Sequence, residues 1–537
     1  MSWNLADCLD RVASIRGDEE ALVQGPRTVS WRRVERRAAN LAAWMLEKGA
    51  THQGKVAIYT YNHPAYMEAV YAAFKAALVP VNVNYRYREE ELRYLLDNAD
   101  AEIVVVHHDF IDMLASVIGG LPKIKGVLVV TEPPGTALPR FADDYEAVAE
   151  TARPAPEVPR GGDDMMFLYT GGTTGMPKGV MWRQEDLYYR FAGGGLAPAP
   201  ADMPAYEEYV QAPPMRLRTL IGPPLMHGTG WFTAMIAWMT GGTVIMLDDP
   251  KTFDAAQLWE VVARTKPTAI TIVGDSFAKP MLRALAELDG RYDLSSVGMI
   301  ASSGVMWSQE TKQALLTHNP YMMLIDAFSS SEAIGMGMSI TTKDGPSSTA
   351  KFQLGDKTRL FDEQLALLDT QPGTKGLIGV GGPQPVGYYK DPEKSARTFV
   401  ETAHGRFSIP GDWAVVNDDG VTLTVLGRGS VCINTGGEKV FPEEVEEVIK
   451  RYPGITDAVV VGIPDEKWGE AITAVVSATD GRIDAAALKQ FVKEHLAAYK
   501  APKHVVCVDA VYRSPSGKAD FKRTKQVAME ALGVGSQ

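Results

Sequence analysis

Residues 169–179 read YTGGTTGMPKG, and their types suit one task, the holding of an anion. Gly171, Gly172 and Gly175 let backbone N–H groups approach a phosphate closely, and Thr170, Thr173 and Thr174 add hydroxyl donors. Lys178, after Pro177, adds a positive charge on a long stem. A lone Gly-Gly pair would read as a surface turn. This density of glycine and threonine before Pro-Lys-Gly argues for phosphate instead. The apolar run 165–168 just before it reads as a buried strand. No G-x-x-x-x-G-K-[ST] is completed here, and GMGMSI from Gly335 completes no G-x-G-x-x-G, so the two commonest nucleotide folds are disfavoured.

The elements that must position this loop can be read at a coarse level. A chain of 537 residues exceeds the roughly 250–300 at which one core stops growing, so two or more domains are expected. A formal charge of -12 argues against non-specific nucleic-acid binding, which needs a basic face. Cys8, Cys432 and Cys507 lie far apart, with no C-x-x-C and no H-E-x-x-H. That gives neither a disulfide framework nor a zinc site, and a reducing, cytoplasmic setting is expected. Asp7 and Asp10 stand where a signal peptide would be basic and then apolar. No run reaches about 18 apolar residues, so no spanning helix is expected, although association with a membrane surface stays compatible with the sequence. Oligomeric state is not readable; a homodimer is one option.

Strands and helices alternate. Ser30 suits the N-cap of a helix with Trp31, Val34, Ala38, Leu41 and Met45 on one face, ending near Gly49. Residues 55–59, 103–106, 127–130 and 269–273 read as strands, and 64–77 and 253–266 as helices. This pattern predicts an α/β fold, a large N-terminal domain of parallel sheets covered by helices. Residues 192–224 are proline-rich with little periodicity and read as a long loop or insertion. A boundary is placed at Arg428, giving domains 1–427 and 428–537. Beyond it Pro442 suits the first position of a helix, with Glu443 and Glu444 in its first turn. A strand at 457–461 and a helix at 485–498 complete a small α+β domain.

Six segments in order then match a pattern: the 169–179 loop, DAFSSSE at 326–332, Gly411-Asp412-Trp413, Gly427-Arg428, Gly436-Gly437-Glu438-Lys439 and Ser516-Gly517-Lys518. With these the chain resembles the adenylate-forming enzymes, which include acyl-CoA synthetases, luciferases and peptide-synthetase adenylation domains. The resemblance spans nearly the whole chain. It implies that a carboxylate attacks ATP to give an acyl-adenylate and pyrophosphate, and that a thiol then takes the acyl group. Residues Thr170, Gly171, Gly172, Thr173, Thr174 and Gly175 would hold the β/γ-phosphates with Lys178 nearby, Thr174 counting among the catalytic groups. Glu332 would bind Mg²⁺, and Asp326, Phe328 and Ser331 belong to the same ATP segment, Phe328 stacking on adenine. Ser303 and Gly304 would close over adenine. Asp412 would take the ribose hydroxyls, Arg428 would assist there, and Lys518 would reach the bridging oxygens as the α-phosphate is attacked.

The resemblance also implies a mobile C-terminal domain. After adenylation it would swap the Lys518 loop for Gly437, Glu438 and Lys439 beside a coenzyme A channel, with Ser430 at the hinge. Serine departs from the aspartate or lysine usual there. Peptide-synthetase domains hold an amino group with a Phe-Asp pair soon after the phosphate loop; MHGTGW at 226–231 offers no such acid, and nineteen residues after Lys518 leave no room for a carrier domain. A free-standing ligase using coenzyme A is therefore favoured over a carrier-loading enzyme, with a catalytically silent homologue as the other class. His227, Trp231, Gly274 and Ser329 are the expected acyl-pocket residues, Ser329 narrowing it and Gly274 and Gly304 leaving room. TGGTTGMPKGVMWRQED and the hinge GRGS are most similar to actinobacterial ligases for fatty acids and steroid side-chain carboxylates, which implies a hydrophobic acid.

Overall fold

The computed structural model describes residues 3–132, 135–154, 156–172, 175–288, 292–345, 351–435, 438–465, 469–496, 498–513 and 518–534. They divide into two compact units, one within 1–349 with 381–408 and the other within 350–380 with 409–537. The fold class is the expected one, α/β with parallel sheet and helices in the large part and a small α+β part at the C-terminus.

The first unit is built on two sheets. In one, Glu20–Gln24, Thr243–Met246, Arg218–Ile221, Ala269–Ile272, Met299–Ser303 and Met323–Phe328 run parallel in that spatial order. Gly337–Thr341 returns antiparallel beside Met323–Phe328. In the other, Met165–Gly172, Val79–Asn82, Lys55–Tyr59, Ala101–His107 and Gly126–Val130 run parallel. Near-continuous apolar runs such as IVVV and VLVV are what a parallel strand covered on both faces requires, and their residues are buried. Pro64–Lys75 is buried along its whole length. The helix Trp31–Glu47 is capped as expected, Ser30 Oγ accepting from the Arg33 N–H at 3.4 Å.

Residues 192–224 differ from the expected loop. They contain the helix Met203–Gln211, capped by Asp202 accepting from the Ala205 N–H at 2.9 Å, and the strand Arg218–Ile221 of the first sheet. The helix was obscured because prolines at 204, 213 and 214 interrupt the apolar period around it. Cys8, Cys432 and Cys507 form no disulfide with one another, and among the described residues no helix is long and apolar enough to cross a membrane.

The second unit holds an antiparallel run, with Asp412–Val416 between Lys375–Val380 and Thr422–Arg428. Its C-terminal part is a sheet built on the long hairpin Ile455–Asp465 with Gly469–Ala478, packed by Pro442–Lys450, Ala485–His495 and Phe521–Leu532. Pro442 opens its helix as expected, and Glu444 Oε1 accepts from the Phe441 N–H at 3.3 Å.

Candidate active site

Met165–Gly172 and Gly175–Arg183 form an antiparallel hairpin that carries the described part of the 169–179 motif. The strand runs past the expected end at Leu168, with Tyr169 facing Gly179, Thr170 facing Lys178 and Gly172 facing Gly175. The Tyr169 ring covers the backbone of Gly179: a β-carbon there would lie 2.7 Å from ring carbon Cε2. The tyrosine hydroxyl donates to Asn98 Oδ1 at 2.7 Å, which fixes the ring. Thr173 and Thr174 lie outside the described residues. For Gly171, Gly172 and Gly175 the backbone path is what is given.

Two asparagines that the sequence reading missed tie this hairpin to the next motif. Asn82, buried at the end of Val79–Asn82, accepts from the Tyr169 N–H at 2.6 Å and donates to Tyr169 O at 2.9 Å and Met226 O at 2.6 Å. Asn62 accepts from the Leu225 N–H at 2.6 Å and donates to Pro223 O at 3.0 Å. Both hold the loop entering Gly228–Met239, whose N-cap position is His227. Buried amides satisfied on every side fix a loop more firmly than apolar contact would.

Glu332 is tied to the body of the hairpin, at 180–182, by the segment 387–389. Gly387–Tyr388 adds to the hairpin, Gly387 facing Met181 and Tyr388 facing Val180, while Tyr389 N–H donates to Gly179 O at 2.8 Å. From there the Tyr388 hydroxyl donates to Glu332 Oε1 at 2.8 Å. Ser408 Oγ donates to Glu332 O at 2.6 Å, and Trp182 Nε1 to Ser331 O at 3.0 Å. Glu332 is buried, and Oε2 takes no hydrogen bond from the described residues. A carboxylate oxygen left open beside the Gly/Thr hairpin is a ligand type that fits Mg²⁺, a hard cation that otherwise keeps waters and phosphate oxygens. Lys178 is ion-paired with Asp391, which also caps Pro392–Thr398.

The remaining motif residues of this unit sit at the ends of adjacent strands. Ser303 closes Met299–Ser303, and Ser303 faces Ala327 one residue before Phe328. Gly304 is exposed at φ +93°, and the nearest atoms to a β-carbon there would be Thr229 Oγ1 at 3.5 Å and Val273 Cγ1 at 3.9 Å. So Thr229, Val273, Ser303 and Gly304 lie together. Ser329 Oγ accepts from the Gly335 N–H at 3.1 Å. Trp231 is buried against Phe191 and Phe232, whereas Phe232 keeps part of its surface exposed.

Two expectations need correction. Gly274 does not open the acyl pocket. It sits at φ +50°, and a β-carbon would fall 2.4 Å from Met306 O and 2.5 Å from Val305 O, so its missing side chain is filled by backbone. Gly274→Ala is therefore expected to cost about 2–5 kcal/mol through overpacking and left-handed strain. Thermal denaturation checks this against Gly119→Ala, where nothing lies within 4 Å of the added carbon; equal midpoints would contradict it. Asp326, expected at ATP, is buried with Oδ2 3.1 Å from Lys312 Nζ. Burial outweighs the lysine and pushes its carboxyl up to about 6. The pair is buried and ties Met323–Phe328 to the helix Gln309–His318.

In the second unit Asp412 and Arg428 face each other across paired strands, and the Gly429 N–H donates to Gly411 O at 3.0 Å. Gly427 has φ +117°, and Glu443 Oε2 lies 2.0 Å from where a β-carbon would be, so both the backbone and the space favour glycine there. Ser430 falls in the 3-10 turn Gly429–Val431. Glu438 and Lys439 lie in Glu438–Val440, paired with Thr435 and Asn434. Gly437 is outside the described residues. Lys518 is exposed, next to Ala519, which bridges to Arg513.

A Gly/Thr hairpin tied to a buried carboxylate, followed by an α+β part bearing an exposed lysine, is the architecture of this chain. The chain belongs to the AMP-binding enzyme family, whose model matches residues 9–389 and whose C-terminal domain model matches residues 444–518. A medium/long-chain-fatty-acid–CoA/3-oxocholest-4-en-26-oate–CoA ligase of Mycobacterium marinum is 37% identical over 98% of this chain and 96% of its own. A 3-oxocholest-4-en-26-oate–CoA ligase of Rhodococcus rhodochrous is also 37% identical, with the same coverage of 98% and 96%. The fold is shared with the crystal structure of an anthranilate CoA ligase in complex with anthranoyl-AMP, at a TM-score of 0.83, 20% identity, and coverage of 99% of this chain and 98% of that one.

Proposed function

We propose that the chain is an AMP-forming acyl-CoA synthetase acting on a hydrophobic carboxylic acid. A carboxylate oxygen of the acid attacks the α-phosphorus of ATP, and the bond to pyrophosphate breaks. The sulfur of coenzyme A then attacks the acyl carbonyl carbon, and AMP leaves with the oxygen that came from the acid. The observation that carries this reading is the bracket 386–391, which joins the Gly/Thr hairpin to Glu332 through Tyr388. Two anions must meet for the first step, so donors and charges fixed in place before the substrates arrive are what the reaction needs.

In this reading Thr170 to Gly175 hold the β- and γ-phosphates, and Lys178 exchanges Asp391 for phosphate when ATP binds. Mg²⁺, held by Glu332, would neutralise phosphate charge and orient it. Phe328 offers a ring face for adenine, with Ser303 and Gly304 beside it, and Asp412 and Arg428 take the ribose. Lys518 serves adenylate formation, and residues 437–439 serve thioester formation. The functional division is placed at Arg428, as 1–427 and 428–537, with Ser430 as the hinge.

The acid is assigned to the class of fatty acids and steroid side-chain carboxylates. The names of the relatives at 37% identity support this, and so does the open position of Gly304 near Thr229 and Val273. His227 and Ser329 are the other proposed wall residues, with Trp231 behind Phe232. The absence of a disulfide among the three cysteines suits a cytoplasmic, reducing setting. Pyrophosphate release with ATP, Mg²⁺ and a panel of medium-chain, long-chain and steroid acids, with and without coenzyme A, tests the assignment. Release with a subset of acids and conversion to the thioester is expected. No release with any acid would favour a silent homologue, and release without thioester would favour a different thiol, such as a carrier protein.

A further inference from the structure

Lys518 is exposed and carries a long, rotatable side chain, so its ammonium is useful only if the backbone beneath it is held. The loop it stands on is closed at its stem. Arg513 and Ala519 pair in an antiparallel bridge, and the Asp520 N–H donates to Tyr512 O at 2.9 Å. Lys518 is thus one residue from the closure.

The polar fastening of the stem to the C-terminal sheet runs through Arg513. Arg513 Nε donates to Asp457 Oδ2 at 2.6 Å and Nη2 to Asp457 Oδ1 at 2.8 Å, with Nη2 also 3.5 Å from Ala458 O. The two side chains are 19% and 28% exposed, so this is a sheltered fork-on-carboxylate pair rather than a solvated surface contact. Asp457 belongs to Ile455–Asp465 and accepts from the Ala458 N–H at 2.8 Å, which fixes its own orientation. Lys450 approaches it from Pro442–Lys450 at 3.6 Å and lies 4.0 Å from Glu446. Glu446 is buried and accepts from the Val460 N–H at 2.8 Å. Acid and base therefore alternate from helix to strand to stem: Glu446, Lys450, Asp457, Arg513. Burial pushes the Asp457 carboxyl up, yet the Arg513 bonds and the charges of Lys450 and Arg513 outweigh it and hold it below the usual range. The apolar side of the stem, Val511, Ala519 and Phe521, packs against Val459, Val461 and Ala528.

We propose that Arg513 is a positioning residue for adenylate formation, holding the Lys518 loop in place through its bidentate contact with Asp457. This rests on the reading of Lys518 as the adenylation lysine. Nothing in the pair touches substrate; it acts through the backbone on which Lys518 stands. A displacement of about 1 Å at a reacting group can cost on the order of 100-fold in rate, and that is the scale a loosened stem would reach.

The test measures the two half-reactions separately in the full chain, as acid-dependent pyrophosphate release and as thioester formation from supplied acyl-adenylate and coenzyme A. Arg513→Gln is expected to lower the first by about 10- to 100-fold and to leave the second within about twofold, since misplacement affects only the group that must be aligned. Arg513→Lys, which keeps the charge but loses the fork, should recover only part of the loss. Asp457→Asn, of equal volume, should reproduce the loss, and the double variant Asp457→Asn/Arg513→Gln should be no worse than the more damaged single one. Asp457→Asn also carries the test should Arg513→Gln fold poorly. Adenylation unchanged in these variants, in an assay where Lys518→Ala is inactive, overturns the proposal, and so does an equal fall in both half-reactions. If wild type releases no pyrophosphate, or Lys518→Ala matches wild type, it is the underlying reading of the reaction that fails.

Discussion

Lys518→Ala is expected to abolish measurable adenylate formation while thioester formation from supplied acyl-adenylate and coenzyme A stays near the wild-type rate. Removing one preorganised group that meets developing charge costs about 10²–10³-fold, and a full positive charge at the attacked phosphate should sit at or above that range. The second half-reaction breaks a carbon–oxygen bond with AMP as leaving group, so a lysine assigned to the α-phosphate attack has no part in it. Because Lys518 is exposed, its truncation leaves no cavity, and the melting point should move little. The two rates, measured on the same preparation, decide the matter: a parallel fall in both would remove the separate assignment of Lys518 and residues 437–439.

The second large effect is expected at Glu332→Gln. The amide keeps the volume and still offers an oxygen to the Tyr388 hydroxyl, now 2.8 Å from Oε1, so the local packing should survive. What it removes is the negative charge that would hold Mg²⁺ against the ATP phosphates. A metal's charge stabilisation is worth several kcal/mol, so adenylation should fall by about 10²-fold or more. The Mg²⁺ concentration giving half-maximal rate should rise, and calorimetry should show weaker binding of ATP in the presence of Mg²⁺. Unchanged Mg²⁺ dependence would take Glu332 out of the metal site. Tyr388→Phe offers a graded comparison, because it keeps the carboxylate but loses its orienting hydrogen bond.

The parts legible in the sequence were those set by local rules. The helix Trp31–Glu47 follows from an apolar face and the Ser30 cap, and the buried parallel strands from short valine- and isoleucine-rich runs. The motif residues could be proposed from sequence because phosphate and metal chemistry restrict which side chains can serve. Supporting contacts were not. Asn82 meets Tyr169 and Met226 across 87 and 144 positions, and Tyr388 meets Glu332 across 56, so no local pattern marks either of them. Gly274 misled for a related reason: a glycine that makes room for a ligand and one that makes room for a carbonyl look alike in sequence. Only the 2.4 Å approach to Met306 O tells them apart. Asp326 misled because its position within DAFSSSE is that of a site residue, while its side chain is turned to the buried Lys312.

The central claim is that the carboxylate of the acid attacks the α-phosphorus, and an isotope follows that bond directly. A fatty acid labelled with oxygen-18 in its carboxylate is turned over with ATP, Mg²⁺ and coenzyme A, and the AMP is weighed by mass spectrometry. One labelled oxygen in the phosphate of each AMP formed is the expected result. Unlabelled AMP, or ADP formed in its place, would contradict the account.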